Sequence, residues 1–154
     1  MKAHTLCHKL SIAASAAALT LFFVAPAAQA RETLHNFPIQ QALDKATASG
    51  KLVPGIKLLF GKQAFPKPTA TLGEARTNKK TNFFGKNDQD ACEWTFLSAM
   101  ISLTEYAQRV GGNAVVNIRS NYKNAVFSSE TEYQCGAGNV TGGTAFIGDV
   151  VKLP

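Results

Sequence analysis

The chain has 154 residues, of which 45% are hydrophobic and 17% charged, and a formal net charge of +6. This length allows one domain with one hydrophobic core, and no internal repeat or low-complexity tract divides it. The charge is too modest to favour nucleic-acid binding.

The first thirty residues have the layout of a secretory signal peptide. Lys2 and Lys9 form a basic head, an apolar run follows, and an Ala-Gln-Ala cleavage motif ends at Ala30. Removing the two lysines from the 16 basic residues leaves 14 against 10 acidic ones, a net charge of +4. We expect a periplasmic or secreted protein with a single domain over residues 31–154 and no transmembrane segment after cleavage.

Three short elements are expected before the middle of the chain. Residues 38–50 place apolar side chains at helical spacing and predict a short amphipathic helix. Residues 55–62 alternate and predict a strand, and residues 69–80 predict a second, weaker one. An exposed turn is expected over residues 78–82.

A long amphipathic helix over residues 87–110 is the strongest pattern in the chain. Asn87 offers an acceptor for the free N–H groups of the first turn, and Gly111 permits the left-handed conformation that ends many helices. At about 100° per residue, one apolar face should be buried in the core. That face consists of Cys92, Phe96, Ala99, Met100, Leu103, Ala107 and Val110.

A second apolar ridge, formed by Trp94, Leu97 and Ile101, lies on the other side of this helix. A helix at the protein surface is normally polar there. Either the short N-terminal helix covers the ridge, or the ridge is a surface for a partner or for self-association. Trp94 is therefore a candidate binding residue.

Three strands are expected after the helix. They cover residues 113–120, 125–135 and 145–153, with a glycine-rich loop over residues 136–143 between the last two. The pattern predicts an α+β fold: a long amphipathic helix packed on a small, mostly antiparallel sheet of about five strands, with a short N-terminal helix.

The first of these three strands alternates. Ala114, Val116 and Ile118 should point to one side, and Asn117 and Arg119 to the other.

Cys92 and Cys135 are the cysteines of the expected mature chain. In an oxidising compartment such a pair forms a disulfide, and closing a loop of roughly 40 residues would stabilise the fold by about 4 kcal/mol. The alternative is a thiol-dependent redox protein or enzyme using Cys92, because a helix N-terminus favours the reactive thiolate.

Basic residues accumulate between Lys57 and Lys86, with phenylalanines among them. Lys79, Lys80 and Lys86 are candidate contacts for an anionic envelope polymer, and ordinary solvated lysines are the alternative. Another envelope protein is the second candidate partner. Nucleic acid is not expected as a partner of an exported protein.

The residues predict no catalytic, metal or cofactor site. His35 has no set of further ligands around it, and no serine, histidine and acid form a recognisable triad. The glycines of residues 136–143 lack the Lys-Ser/Thr and the helix of a phosphate-binding loop. We therefore expect a non-enzymatic protein.

The segment RVGGNAVVNI, residues 109–118, resembles a helix-to-strand segment of small bacterial domains. These include the outer-membrane Rcs stress-sensor lipoprotein and the YbjQ-type domains named for heavy-metal binding. The resemblance covers about residues 91–153 and implies a helix across a small antiparallel sheet, a disulfide in exported members, and a role in binding or sensing. This chain lacks the lipid-attachment cysteine and a metal-ligand cluster, so no functional residue is transferred.

Overall fold

The computed structural model describes residues 31–154, and the predicted signal peptide lies outside them. The described residues form six strands, two α-helices and one turn of 3-10 helix at Tyr122–Asn124. The strands are β1 (Glu32–Pro38), β2 (Lys57–Phe60), β3 (Ala70–Asn82), β4 (Ala114–Ser120), β5 (Glu132–Gly138) and β6 (Thr141–Lys152). The helices are α1 (Ile39–Ala48) and α2 (Asp88–Arg109).

β6 is the central strand of a single sheet. It pairs antiparallel with β3 along one side, and with β5 and then β4 along the other. β1 extends the sheet beyond β5 in the antiparallel direction, whereas β2 joins β4 in parallel. The predicted α+β class with a mostly antiparallel sheet is confirmed in outline, but the sheet is mixed and has six strands.

α2 begins and ends where the sequence predicts. The Asn87 side chain accepts a hydrogen bond from the backbone N–H of Gln89 at 2.8 Å, which satisfies one of the free donors of the first turn. After the helix, Gly111 adopts a positive φ of 82°, a conformation that glycine takes at little cost. α2 has 22 residues and lies across one face of the sheet, which we call the inner face.

The core lies between α2 and the inner face. The predicted core face of α2 is buried except for Val110, which is half-buried. Phe96 is the centre of an aromatic cluster, with ring centroids 4.6 Å from Tyr133, 5.6 Å from Phe146 and 6.1 Å from Phe60. These rings join α2 to three different strands, so one helix face holds most of the sheet together.

The two sides of β4 differ from the prediction, because Asn117 forms a bulge. Asn117 has a φ of 52°, and the pairing of β4 with β6 shifts just after Val116. The inserted residue changes which side chains share a face. Ile118, after the bulge, consequently reaches the core under α2 together with Val115, whereas Ala114 and Val116 pack on the opposite, outer face. The small outer cluster contains Ala114, Val116, Val151 and Leu153, with Leu59 and Phe65 at its margin.

The predicted glycine-rich connection over residues 136–143 is a hairpin, but most of the residues predicted as loop belong to its strands. β5 and β6 are joined by a two-residue turn, residues 139–140, and β5 begins only at Glu132. A Cβ on Gly136 would lie 2.0 Å from the Tyr122 ring. Glycine, generally a poor strand residue, is used here because the ring packs directly on the backbone.

Two further differences concern β1 and β3. β1 was not predicted, and its seven residues all pair with β5. β3 continues through residues 78–82, where an exposed turn was expected, because β6 offers it partners as far as Thr141. In both strands, pairing with a distant segment determines the structure.

Candidate functional site

Cys92, near the start of α2, and Cys135, on β5, form the predicted disulfide. Their Cα atoms are 5.9 Å apart, and both side chains are completely buried. The bond ties the start of α2 to the inner face of the sheet. A disulfide is compatible with an oxidising compartment outside the cytoplasm.

Lys79, one of the predicted contact residues, lies on the inner face. It is opposite the buried Thr144 of β6 and is itself half-buried. Beside it runs a groove of about 390 Å³ between β3 and α2, lined among others by Glu105 and Arg109. The positive charge of Lys79 therefore lies near both an acidic and a basic side chain.

Lys80 follows Lys79 on the same strand and so lies on the outer face. It is exposed, beside Tyr122 and Lys123 of the 3-10 turn. Lys86 is exposed in the segment before α2. The three predicted lysines thus do not form one continuous patch, because strand alternation places the first two on opposite faces.

Trp94 lies beside a cleft between the two helices. α1 packs next to α2 and leaves a space of about 200 Å³. Trp94 is 56% exposed, whereas Leu97 and Ile101 are half-buried. α1 therefore covers the predicted apolar ridge only in part. The cleft is lined by Ala42, Lys45 and Ala46 of α1 and by Asp90, Glu93, Trp94 and Leu97 of α2.

Charged groups surround this cleft. Lys45 of α1 forms an ion pair with Glu93 of α2, which spans the two helices. The Nζ of Lys51 lies 5.6 Å from the centroid of the Trp94 ring, a cation–π contact that holds one face of the indole. Sequence reasoning selected Trp94 but missed Lys45 and Glu93, which only the packing of the helices brings together.

A second concave surface, which we call the outer groove, lies on the outer face between β3 and the 3-10 turn. One part has a volume of about 370 Å³ and an adjoining part about 160 Å³. Its polar lining consists of Arg76, Thr77, Asn78, Lys80, Asn121, Tyr122, Lys123, Asn124 and Thr141. Two of its basic side chains form ion pairs with carboxylates beside the groove, Lys123 with Glu32 and Arg76 with Glu74. Sequence reasoning did not find it, because its residues come from three separate segments.

The hydroxyl of Tyr133 is buried among aromatic rings. Among the described residues it has no hydrogen-bond partner. Burial, and secondarily the charge of Glu93, raises the pKa of Tyr133 well above its ordinary value. The phenol therefore stays protonated and packs as a core residue.

Residues 31–154 contain neither a cluster of metal ligands nor a helix that could span a membrane. In that part of the chain, no three histidine, cysteine, aspartate or glutamate side chains are grouped closely enough to hold a metal ion. No helix in it is long and apolar enough to cross a lipid bilayer.

Comparison with models of known protein families, with curated proteins and with solved structures finds no match to this chain.

Proposed function

We propose that this is an exported, non-enzymatic binding protein of the bacterial envelope, and that it binds another protein at the α1–α2 cleft. The observation that carries the proposal is the 56% exposure of Trp94 beside a cleft with partly apolar walls. A large aromatic side chain left open in this way is typical of interface hot spots.

The cleft is suited to an apolar side chain of a partner. Ala42, Ala46 and Leu97 provide its apolar walls, and their small size leaves room between the helices. The Lys45–Glu93 ion pair lies at the same site and can orient polar groups of the partner. Because Lys51 holds the indole, little side-chain entropy is lost when the partner binds.

The envelope location rests on two observations. Residues 1–30 have the pattern of a signal peptide with cleavage after Ala30, and the protein carries a buried disulfide. The resemblance of residues 91–153 to envelope sensor domains agrees with a binding or sensing role.

The experiment is a comparison of Trp94→Ala with Phe84→Ala. Envelope partners are first trapped by a photo-crosslinker at residue 97 and identified, and each is then purified and titrated against the protein. Trp94→Ala should weaken binding at least tenfold, since truncating a hot-spot aromatic costs about 2 kcal/mol or more. Phe84 is 75% exposed and does not line the cleft, so Phe84→Ala should leave the affinity unchanged. Equal affinities for the two variants would contradict the proposal.

A second candidate is an anionic envelope polymer bound in the outer groove. Its support is the lining of amides and of Arg76, Lys80 and Lys123, of which Lys80 forms no ion pair with a described residue. Asn121→Asp and Asn124→Asp would place negative charge there and should weaken binding to a phosphorylated wall or lipid polymer. Asn139→Asp, at the exposed hairpin turn, makes the same charge change elsewhere. Binding insensitive to salt, or reduced equally by all three changes, would remove this candidate.

A further inference from the structure

β3 has a long edge without a strand partner. It is 13 residues long and, among the described strands, pairs only with β6. From Glu74 to Asn82 the pairing is regular, residue by residue, and a bulge between Thr71 and Gly73 ends the regular part. An edge of this length leaves a row of backbone N–H and C=O groups ready for another strand.

The other two ends of the sheet offer less. β1 ends in Pro38, which has no N–H to donate, and β2 has four residues. β3 contains no proline. The regular part of its edge is therefore the best place in the described fold for adding a strand.

We infer that the occupant of this edge is β3 of a second copy, paired antiparallel about a two-fold axis at Thr77. In this register Glu74 of each copy lies opposite Lys80 of the other. Residues directly opposite each other share a face of the sheet, and Glu74 and Lys80 both belong to the outer face, since they pair with Asp149 and Gly143 of β6. Two identical Glu–Lys pairs result from one symmetric contact.

The neighbouring registers are electrostatically unfavourable. An axis at Arg76 places that residue opposite its own copy, and an axis at Lys79 does the same for Lys79. An axis at Asn78 places Arg76 opposite Lys80. Like charges directly opposite each other destabilise a strand pair.

An axis at Ala75 is the remaining register with attraction, because it pairs Glu74 with Arg76. There the strands meet the bulge at Gly73 after one further residue on each side, so little regular pairing is left. The axis at Thr77 instead keeps all residues from Glu74 to Lys80 in regular pairing.

The charge of Lys80 agrees with this register. Lys80 forms no ion pair with another described residue, so a carboxylate across the edge would be its partner. Glu74, which would supply that carboxylate, also contacts Arg76 and Arg119 of its own copy. Arg76 would lie opposite Asn78, and Lys79 opposite Ala75, so no basic side chain meets another.

The helices permit the contact. α2 packs over both β3 and β6, and both copies of α2 would lie on the same side of the joined sheet. With strands about 4.8 Å apart, the two helix axes would be roughly 10 Å apart, which is an ordinary helix-packing distance. Between them would lie the groove that contains Ser102, Glu105 and Arg109.

The first test is the oligomeric state of the purified protein with its disulfide intact, measured by sedimentation over a range of concentrations. The wild type should be a dimer. Lys80→Glu would place two acids opposite each other at two sites and should raise the dimer dissociation constant at least tenfold. Lys57→Glu, on β2, makes the same charge change away from the edge and should remain dimeric.

The second test examines the register without relying on charge. At the axis, Thr77→Cys should form a disulfide with its own copy under mild oxidation, because opposite Cα atoms are about 5 Å apart. Asn78→Cys should not, since its two copies would be about 8 Å apart. A monomeric wild type, a dimer that survives Lys80→Glu, or no Thr77→Cys cross-link would each overturn the inference.

Discussion

Glu74 and Asp149 lie directly opposite each other on β3 and β6, and Arg119 from β4 bridges these two like charges. The guanidinium of Arg119 donates to Glu74 at 3.2 Å and lies 4.0 Å from a carboxylate oxygen of Asp149. Asn117, at the bulge, donates to the other oxygen of Asp149 at 2.8 Å. The bulge in β4 therefore brings Arg119 and Asn117 next to Glu74 and Asp149. Arg119 offsets the repulsion between the two acids, and Asn117 donates a hydrogen bond to Asp149.

Arg119→Gln should destabilise the fold by about 1–2 kcal/mol, because it removes the cation that bridges the two partly exposed acids and leaves only Arg76, which contacts Glu74 alone. Urea unfolding at neutral pH measures the change. Arg76→Gln removes a more exposed partner of Glu74 alone and should cost less than about 1 kcal/mol. Equal costs for the two variants would show that Arg119 does not bridge the pair.

Asn117→Ala should be less stable than Asn117→Gly by about 1 kcal/mol. Both changes remove the side-chain hydrogen bond to Asp149, but only alanine carries a Cβ at a φ of 52°. The difference in unfolding free energy between the variants therefore isolates the backbone strain. If alanine is equal or better, the left-handed bulge is not a strained feature of the native state.

Tyr133→Phe should be neutral or stabilising by up to about 1 kcal/mol, because it removes a buried hydroxyl without a partner. The raised pKa of Tyr133 also predicts that the free energy of unfolding depends on pH in the alkaline range. The folded state holds the phenol proton more tightly than the unfolded state does. The contribution of this proton to the free energy of unfolding is therefore complete below about pH 10, the pKa of tyrosine in the unfolded chain, and falls as the pH rises above it.

Unfolding of the wild type and of Tyr133→Phe between pH 8 and about pH 11 measures this contribution. Wild-type stability should decline more steeply over the alkaline range than that of the variant. Parallel curves, or a clear loss of stability in Tyr133→Phe at neutral pH, would mean that the hydroxyl has a stabilising partner.

The Cys92–Cys135 disulfide should resist mild reduction in the native protein, and so leave no thiol to alkylate, because both sulfurs are completely buried. Intact mass after alkylation, with and without a mild reductant and before and after unfolding, measures this. Replacing both cysteines with alanine should lower the free energy of unfolding by about 2–4 kcal/mol. Labelling of Cys92 in the folded protein would instead favour the thiol-dependent alternative.

Binding measurements with the same double variant separate the two roles of the pair. At a temperature where the variant is folded, a structural bond predicts unchanged affinity for an envelope partner. Loss of function in a folded variant would favour redox chemistry at Cys92.

The sequence by itself determined the features that depend on near neighbours. The bounds of α2 follow from the cap at Asn87 and from Gly111, because capping and left-handed backbone are local preferences. The buried face of α2 follows from the 3.6-residue period. The Cys92–Cys135 pair follows from cysteine number and the expected compartment.

Only the tertiary structure decided how distant segments meet. β1 and the full length of β3 exist because β5 and β6 offer them partners, and the glycines of β5 are strand residues because the Tyr122 ring packs on Gly136. One inserted residue at Asn117 placed Ile118 on the face opposite Ala114 and Val116, where the sequence predicted one shared face. The exposure of Trp94, the Lys45–Glu93 pair and the separation of Lys79 from Lys80 likewise depend on packing and pairing across many residues. No local period of hydrophobicity contains that information.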